Sequence, residues 1–439
     1  MKSISRDTSP EVQFTNEPAG FQTATAAPAA LDPQTGTGFR VMVYSHDTFG
    51  LGHLRRCLKI SEALTKRYPG LSILVATGSP LVNRFEVPPG VDFVKLPSVR
   101  KTGREHYEAR ILQIGFDRIL DLRSRLLLET AQAFEPHFLL VDHSPSGMKG
   151  EMLKTLQWLR DHHRDTTTIL GLRDILDDPT DVRELWQRTG IYDLLENAYD
   201  RILVYGSPSV YDPVEEYGFT QSIRAKTQYC NYIAGGPIAT GASTKGRINR
   251  RPHVLVTVGG GDGAADTVIE PYLAALRRYQ FELDFDTTIL TGPFISDEHY
   301  QELMDLSESL PVTLKRFVPN TRPLLEQSEL VICTAGYNTM TEILGSAKRA
   351  IVIPRILHRK EQLIRAQRLA EMGLVTFMHP DEVTSSGLHG AITAALGDTS
   401  TPLVKAREDG LIPFDGCDRI VDSWGELMTA ACRRGGDAQ

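Results

Sequence analysis

The chain has 439 residues, enough for two or three domains, and 41% of them are hydrophobic, so sizeable cores can be buried. A formal net charge of -7 and a pI near 6.0 argue against a general nucleic-acid binder. The five cysteines (Cys57, Cys230, Cys333, Cys417, Cys432) are scattered and form no CxxC pair, which fits a reducing compartment and no structural zinc. No apolar run approaches the roughly eighteen residues of a transmembrane helix, and the N-terminus lacks a basic-then-apolar signal pattern, so a cytoplasmic protein is expected.

Residues 1–38 are rich in Thr, Ala, Pro and Ser without periodicity and read as a disordered arm. A buried strand is expected at 39–44, followed by Ser45-His46-Asp47-Thr48-Phe49-Gly50-Leu51-Gly52-His53 and a helix that starts at His53. Further strands are expected at 71–77, 91–96, 138–142, 168–172 and 201–205, with helices between them, the longest over 105–134. Strands alternating with helices predict α/β architecture with a parallel sheet, over a first domain of 39–235. The polar, Gly-rich stretch 236–251 reads as a linker. A second α/β domain is expected over 252–400, and the tail 401–439 carries one more helix.

Five strand ends carry candidate chemistry. The Gly50 and Gly52 turn lets a ligand approach the backbone closely. His53, at the helix start, suits a general base because an imidazole titrates near neutrality. The alternative is a helix-capping His with Arg55 and Arg56 on a solvated face. At the end of 138–142, Asp142 and His143 are candidates to orient His53 or to deprotonate a hydroxyl; an Asx-turn with Ser144-Pro145 is the competing role for Asp142. At the next strand end, Arg173 and Asp174 suit an acceptor site with Arg173 clamping a phosphate or carboxylate, or else form a structural ion pair or helix cap. The Gly259-Gly260-Gly261 run follows the first strand of the second domain and suits a phosphate.

The fifth end is the most informative. A strand at 329–333 leads into Thr334-Ala335-Gly336 and an amphipathic helix, whose unpaired N–H groups favour a pyrophosphate. Glu342 lies on that helix, where a carboxylate can bridge ribose hydroxyls; the alternative is a solvated helix residue. A strand to Pro354 and a helix opening at Glu361-Gln362 follow, placed to read a sugar's hydroxyls.

The run Ala335-Gly336-Tyr337-Asn338-Thr339-Met340-Thr341-Glu342, then Pro354, then Glu361-Gln362, resembles the nucleotide-binding half of GT-B glycosyltransferases. It is most similar to the branch of the lipid II-forming N-acetylglucosaminyltransferase, but has Arg365-Ala366 where that branch has Asn-Ala. The resemblance implies two Rossmann-like domains across a cleft, with the last helix packing back on the first domain. It implies a donor site of Gly259, Gly260, Gly261, Phe317, Val318, Ala335, Gly336, Asn338, Thr339, Glu342, Glu361 and Gln362, in which Phe317 and Val318 read uracil unless they are an ordinary strand end. The Gly-x-Gly-His spacing at Gly50–His53 is similar to the pseudaminic-acid pathway UDP-sugar hydrolase, whose relatives also carry an Asp-His pair.

The implied activity is metal-independent transfer of a sugar from a UDP-sugar, without a cofactor, to an acceptor that is lipid-linked or a saccharide, in polysaccharide or glycoconjugate synthesis. Membrane association is at most peripheral. Hydrolysis of the UDP-sugar by water activated at His53 and non-catalytic nucleotide-sugar binding are the rival activities, and a UDP-N-acetylglucosamine epimerase shares the fold.

Overall fold

The computed structural model describes residues 30–46, 52–101, 106–234, 251–259, 265–357, 359–398, 400 and 402–436. Residues 1–29 of the expected arm, residue 235, the linker residues 236–250, and the candidate residues Gly50, Gly260 and Gly261 lie outside them.

The first sheet holds β1 (Arg40–Ser45), β2 (Ser72–Thr77), β3 (Val91–Lys95), β6 (Phe138–Asp142), β7 (Thr167–Arg173), β8 (Arg201–Tyr205) and β9 (Thr227–Tyr229), in the order β3-β2-β1-β6-β7-β8-β9 with every pairing parallel. The second holds β10 (His253–Thr257), β11 (Asp286–Leu290), β12 (Val312–Lys315), β13 (Leu330–Cys333), β14 (Arg349–Val352) and β15 (Thr376–Phe377), ordered β12-β11-β10-β13-β14-β15, again parallel throughout. Both are doubly wound Rossmann sheets. The strand order reverses between β1 and β6 in one and between β10 and β13 in the other, and ligands bind beyond strand carboxyl ends at such switch points.

The central strands β6, β7 and β10 are buried at every residue, as their near-continuous apolar runs require when helices cover both faces. One face of the first sheet packs Phe39, Val41 and Val43 against Leu54 and Leu64 of α1 (Gly52–Arg67) and against Trp424. The other packs Tyr44, Leu139 and Val141 against Leu156 of α3 (Leu153–His162) and Trp186 of α4 (Pro179–Thr189), beside α2 (Phe116–Phe134) and α5 (Ile191–Ala198). Each such buried large apolar side chain contributes about 1.5–3 kcal/mol by leaving water.

Trp424 belongs to the last helix, Gly416–Gly436, which crosses back to the first sheet. Tyr68 donates to its Val421 carbonyl and Arg434 donates to Thr167. The first apolar cluster also contains Tyr337, Met340 and Leu344, so one core runs through the domain interface.

Two expectations are corrected locally. The stretch expected to begin a helix near 105 instead forms a hairpin, β4 (Val99–Lys101) against β5 (Tyr107–Ala109), and α2 starts only after Gly115. Ile111, Leu112 and Ile114 lie exposed in the connection and so form no buried helical face. Residues 30–38, grouped with the arm, form a turn docked on the end of α1. The Thr35 carbonyl accepts from the Gly70 amide at 2.8 Å, and Gly36 lies against Leu71 at a spacing that admits no Cβ.

Candidate active site

His53 sits in the first turn of α1, directly beyond the end of β1, and Asp142 closes β6, the neighbouring strand at the switch point. Their side chains meet, with His53 Nδ1 2.7 Å from Asp142 Oδ2. Arg56 lies three residues along the same face of α1. It grips Asp142 with two donors, Nε to Oδ1 and Nη2 to Oδ2, both at 2.8 Å. The Asp142 carboxylate is therefore spent on His53 and Arg56 and not on an Asx-turn.

Burial alone would raise the Asp142 pKa, but Arg56 and then His53 outweigh it and hold the carboxyl well below the usual range. An ionised Asp142 requires the proton on Nδ1 of His53, and Nε2 keeps the lone pair, a tautomer assigned from this network. Burial lowers the His53 pKa, Asp142 opposes, and Arg56 and Arg173 lower it further, so the net direction is downward.

His143 is brought beside His53, with ring centroids 5.0 Å apart, and His46 joins at 5.5 Å from His53. His143 has a left-handed backbone with φ of 75°, a cost that clusters at functional sites. Its ring edge faces Arg173, whose Nη2 is 3.1 Å from Nε2. Burial and then Arg173 push its pKa down well below the ordinary value. A guanidinium against both ring nitrogens makes His143 the poorer base of the two.

The second domain brings its candidates to the same cleft. Gly259, at the end of β10, has φ of +75°, a conformation that suits Gly. Ala335 and Gly336 form the turn after β13, and no side chain caps the helix Tyr337–Gly345 that follows, leaving its first N–H groups for an anion. Thr339 is half-buried in the first turn of this helix.

Asn338 donates its amide to the Gly52 carbonyl at 2.8 Å. A Cβ at residue 52 would stand 2.7 Å from that amide nitrogen, so a larger residue there would push the Asn338 side chain off this bond. Glu342 accepts from Lys59 at 3.1 Å and from Thr321 at 2.8 Å, so both oxygens already have partners. The Val318 carbonyl accepts from Arg55 at 3.1 Å, and the Arg55 guanidinium lies over the Phe317 ring at 5.9 Å.

Glu361 and Gln362 open the helix Glu361–Glu371. Glu361 is ion-paired with Arg173 at 2.8 Å, and Gln362 accepts from the Arg355 amide at 3.0 Å. Burial raises the Glu361 pKa, but Arg173 and neighbouring arginines hold it below its ordinary value.

Arg173 and Asp174, the expected acceptor ligands, pair neither with each other nor with open solvent. Asp174 accepts from Arg365 Nη2 at 2.9 Å and from the Tyr232 hydroxyl at 3.0 Å. Both residues thus bind the second domain, Arg173 to Glu361 and Asp174 to Arg365. A cavity of about 1480 Å³ opens beside His46 and His143, and neither Arg173 nor Asp174 lines it. It is lined by His46, His143 and Arg359 and by apolar side chains of α3 to α5, among them Leu153, Trp158, Leu185, Trp186 and Leu194.

Sequence reading missed Arg56, Lys59, His46 and Arg359. Spacing offered a signal for the first two, since Arg56 and Lys59 share a helical face with His53 and Arg55 respectively.

Residues 253–411 match the family described as Glycosyltransferase family 28 C-terminal domain. Over 168 residues the chain is 26% identical to an Alkaliphilus metalliredigens protein named UDP-N-acetylglucosamine--N-acetylmuramyl-(pentapeptide) pyrophosphoryl-undecaprenol N-acetylglucosamine transferase, a match covering 36% of this chain and 43% of that relative. It is 26% identical over 148 residues to the Bacillus subtilis NDP-glycosyltransferase YjiC, covering 34% of each. These matches span less than half the length of the curated relatives. Among solved structures, the spinosyn forosaminyltransferase SpnP superposes with a TM-score of 0.57 at 16% identity, over 88% of this chain and 99% of that one. Acinetobacter baumannii MurG gives 0.52 at 14% identity, over 88% and 99%. Two parallel sheets of Rossmann order facing across one cleft, shared with these structures over most of the chain, give this protein the GT-B fold.

Proposed function

We propose that the chain is a glycosyltransferase that moves a sugar from a nucleotide-sugar, UDP-linked in our reading, to a hydroxyl of an acceptor held by the first domain. One observation carries this reading. The His53–Asp142 pair at the switch point of the first sheet is joined, through the bond from Asn338 to the Gly52 carbonyl, to the anion-ready turn of the second. A neutral imidazole beside a leaving diphosphate is placed to take the acceptor's proton as the glycosyl bond forms. Amides of the Gly336 turn would stabilise the departing diphosphate, and no step needs a metal or cofactor.

The family match over 253–411 supports the donor assignment, and relatives named for UDP-N-acetylglucosamine and undecaprenol-linked substrates favour a UDP-sugar and a lipid-linked or saccharide acceptor. The cavity beside His46 and His143, with apolar walls and the Arg359 cation, suits an amphipathic acceptor. We place the reaction in the cytoplasm with at most peripheral membrane contact. Among the described residues no helix is long and apolar enough to cross a membrane.

The test is product analysis on a panel of nucleotide-sugars, with and without saccharide and lipid-linked acceptors. Sugar attached to acceptor supports transfer. Free sugar and UDP at an acceptor-independent rate would replace transfer with hydrolysis, in which His53 activates water. UDP-sugar binding without turnover of any donor would make the chain a binder.

A further inference from the structure

Tyr337 is the first residue of the helix that follows the Gly336 turn, and it is 3% exposed. It belongs to the second domain, yet its ring lies under the guanidinium of Arg56, 5.3 Å from the ring centroid. Arg365 approaches the same ring, at 5.8 Å. Arg56 is the residue that grips Asp142 through both oxygens, and its Nη2 also lies 3.0 Å from His53 Nδ1. Arg365 in turn donates to the Ala335 carbonyl at 2.8 Å, inside the turn that carries Tyr337. A continuous chain of contacts therefore runs from His53 through Asp142, Arg56, Tyr337 and Arg365 to the donor turn.

We propose that Tyr337 is a positioning residue for the base: its ring clamps Arg56 from the second domain, so that the Asp142–His53 pair is held in its working geometry when the two domains are docked. This rests on reading His53 as the base.

The Arg56 guanidinium has two acceptors of different kind within reach, the Asp142 carboxylate and the aromatic faces of Tyr337 and of Tyr205, the latter at 5.6 Å. A buried cation–π contact is stronger than an exposed one. With the Tyr337 ring in place, the guanidinium plane is fixed and presents Nε and Nη2 side by side to Asp142, a bidentate geometry that also fixes the carboxylate. Without it, Arg56 can swing toward the space vacated, Asp142 loses part of its neutralising charge, and its negative field acts more fully on His53. The groups facing His53 are Asp142, Arg56, Arg173, His46 and His143, with Arg359 of the second domain acting on the two neighbouring histidines. Of these, only Arg56 touches Tyr337.

The experiment uses the full chain labelled with 15N-histidine, without ligand. The His53 resonances are assigned by their loss in His53→Gln, and the titration midpoint and tautomer are read by NMR. In wild type, His53 is expected as the Nδ1–H tautomer with a midpoint below the ordinary value. In Tyr337→Leu the midpoint should rise by about half a pH unit or more, the scale of one lost cation–π contact. Tyr337→Phe, which keeps the ring, should titrate as wild type does. If Tyr337→Leu does not fold, Tyr337→Met keeps most of the volume without the ring and is read in the same way. An unchanged midpoint in the ringless variant overturns the proposal, as does an equal rise in Tyr337→Phe, which would trace the effect to the hydroxyl. Failure of the base reading itself is separately visible, because His53→Ala would then keep wild-type turnover whatever the titrations show.

Discussion

Arg365 and Asp174 form an ion pair at 2.9 Å between residues 191 positions apart, one at the end of β7 and the other in the helix Glu361–Glu371 of the second domain. The side chains are 2% and 0% exposed. Next to it, Arg173 pairs with Glu361, so adjacent residues of opposite charge in one domain meet opposite charges one helical turn apart in the other. Such a pair of pairs specifies register, since sliding the helix by one turn would set like charges together.

Breaking one partner of a buried pair costs more than the pair is worth, because a buried charge is left behind. Asp174→Ala is therefore expected to destabilise the protein by about 3–5 kcal/mol. It also removes the acceptor of the Tyr232 hydroxyl. The double variant Asp174→Ala/Arg365→Met should recover most of that loss. Urea denaturation of the single and double variants checks this; a double variant as unstable as Asp174→Ala would mean that the charge is not the cause.

Glu342 is expected to bind the donor ribose in competition with its present partners Lys59 and Thr321, each of which holds one carboxylate oxygen. Glu342→Ala should weaken UDP binding by about 1.5–3 kcal/mol, the range for hydrogen bonds to charged groups. Lys59→Met removes one competitor for the carboxylate. The Lys59–Glu342 pair is partly exposed, at 28% and 20%, so the gain in UDP affinity should be about 1 kcal/mol or less. Calorimetric titration with UDP measures both, and unchanged affinity in Glu342→Ala would remove that residue from the site.

The pH dependence follows from the directions of the shifts. His53 has its folded pKa lowered below the ordinary 6.5, so the neutral base persists in acid and turnover should fall only as pH drops through that lowered value. The sign for stability is the same. The unfolded chain takes up the proton first, so the contribution of neutral His53 is present above pH 6.5 and is lost as pH falls. The carboxyl of Asp142 is also depressed, and its contribution is present above the ordinary carboxylate pKa of 3.8 and lost below it. Melting temperature should thus decline in two stages on acidification. In His53→Gln the first stage should shrink, and a profile identical to wild type would contradict this.

His53→Ala should lower turnover by about 10²–10⁴-fold, the usual contribution of general-base catalysis, while UDP affinity changes little. Turnover within threefold of wild type, measured at saturating donor and acceptor, would assign His53 a structural role.

The docked turn at 30–38 predicts a boundary. A chain beginning at residue 39 loses the bond from Gly70 to the Thr35 carbonyl and the packing of Gly36 on Leu71, and should melt lower than one beginning at residue 30. The composition of residues 1–29 predicts that their removal leaves melting and UDP affinity nearly intact. Thermal melts of the two truncations decide both points.

By itself, the sequence determined the α/β class, most strand positions and the strand ends that carry the candidate site residues. Runs such as Phe138–Asp142 and His253–Thr257 are apolar almost throughout because parallel strands are buried on both faces, and that burial is written locally. His53, Asp142 and the Ala335-Gly336 turn were legible because small or polar residues directly after such runs mark strand carboxyl ends. The hairpin of β4 and β5 was not, since strands of three residues each are too short to show a pattern in the sequence. Only the tertiary structure decided the partners: Arg56 on Asp142, Arg173 on Glu361, Arg365 on Asp174, and Lys59 on Glu342. Each of these pairs joins residues 86 or more positions apart, and three of them join the two domains. Local patterns specify which faces are buried; which charge meets which depends on how the two sheets dock.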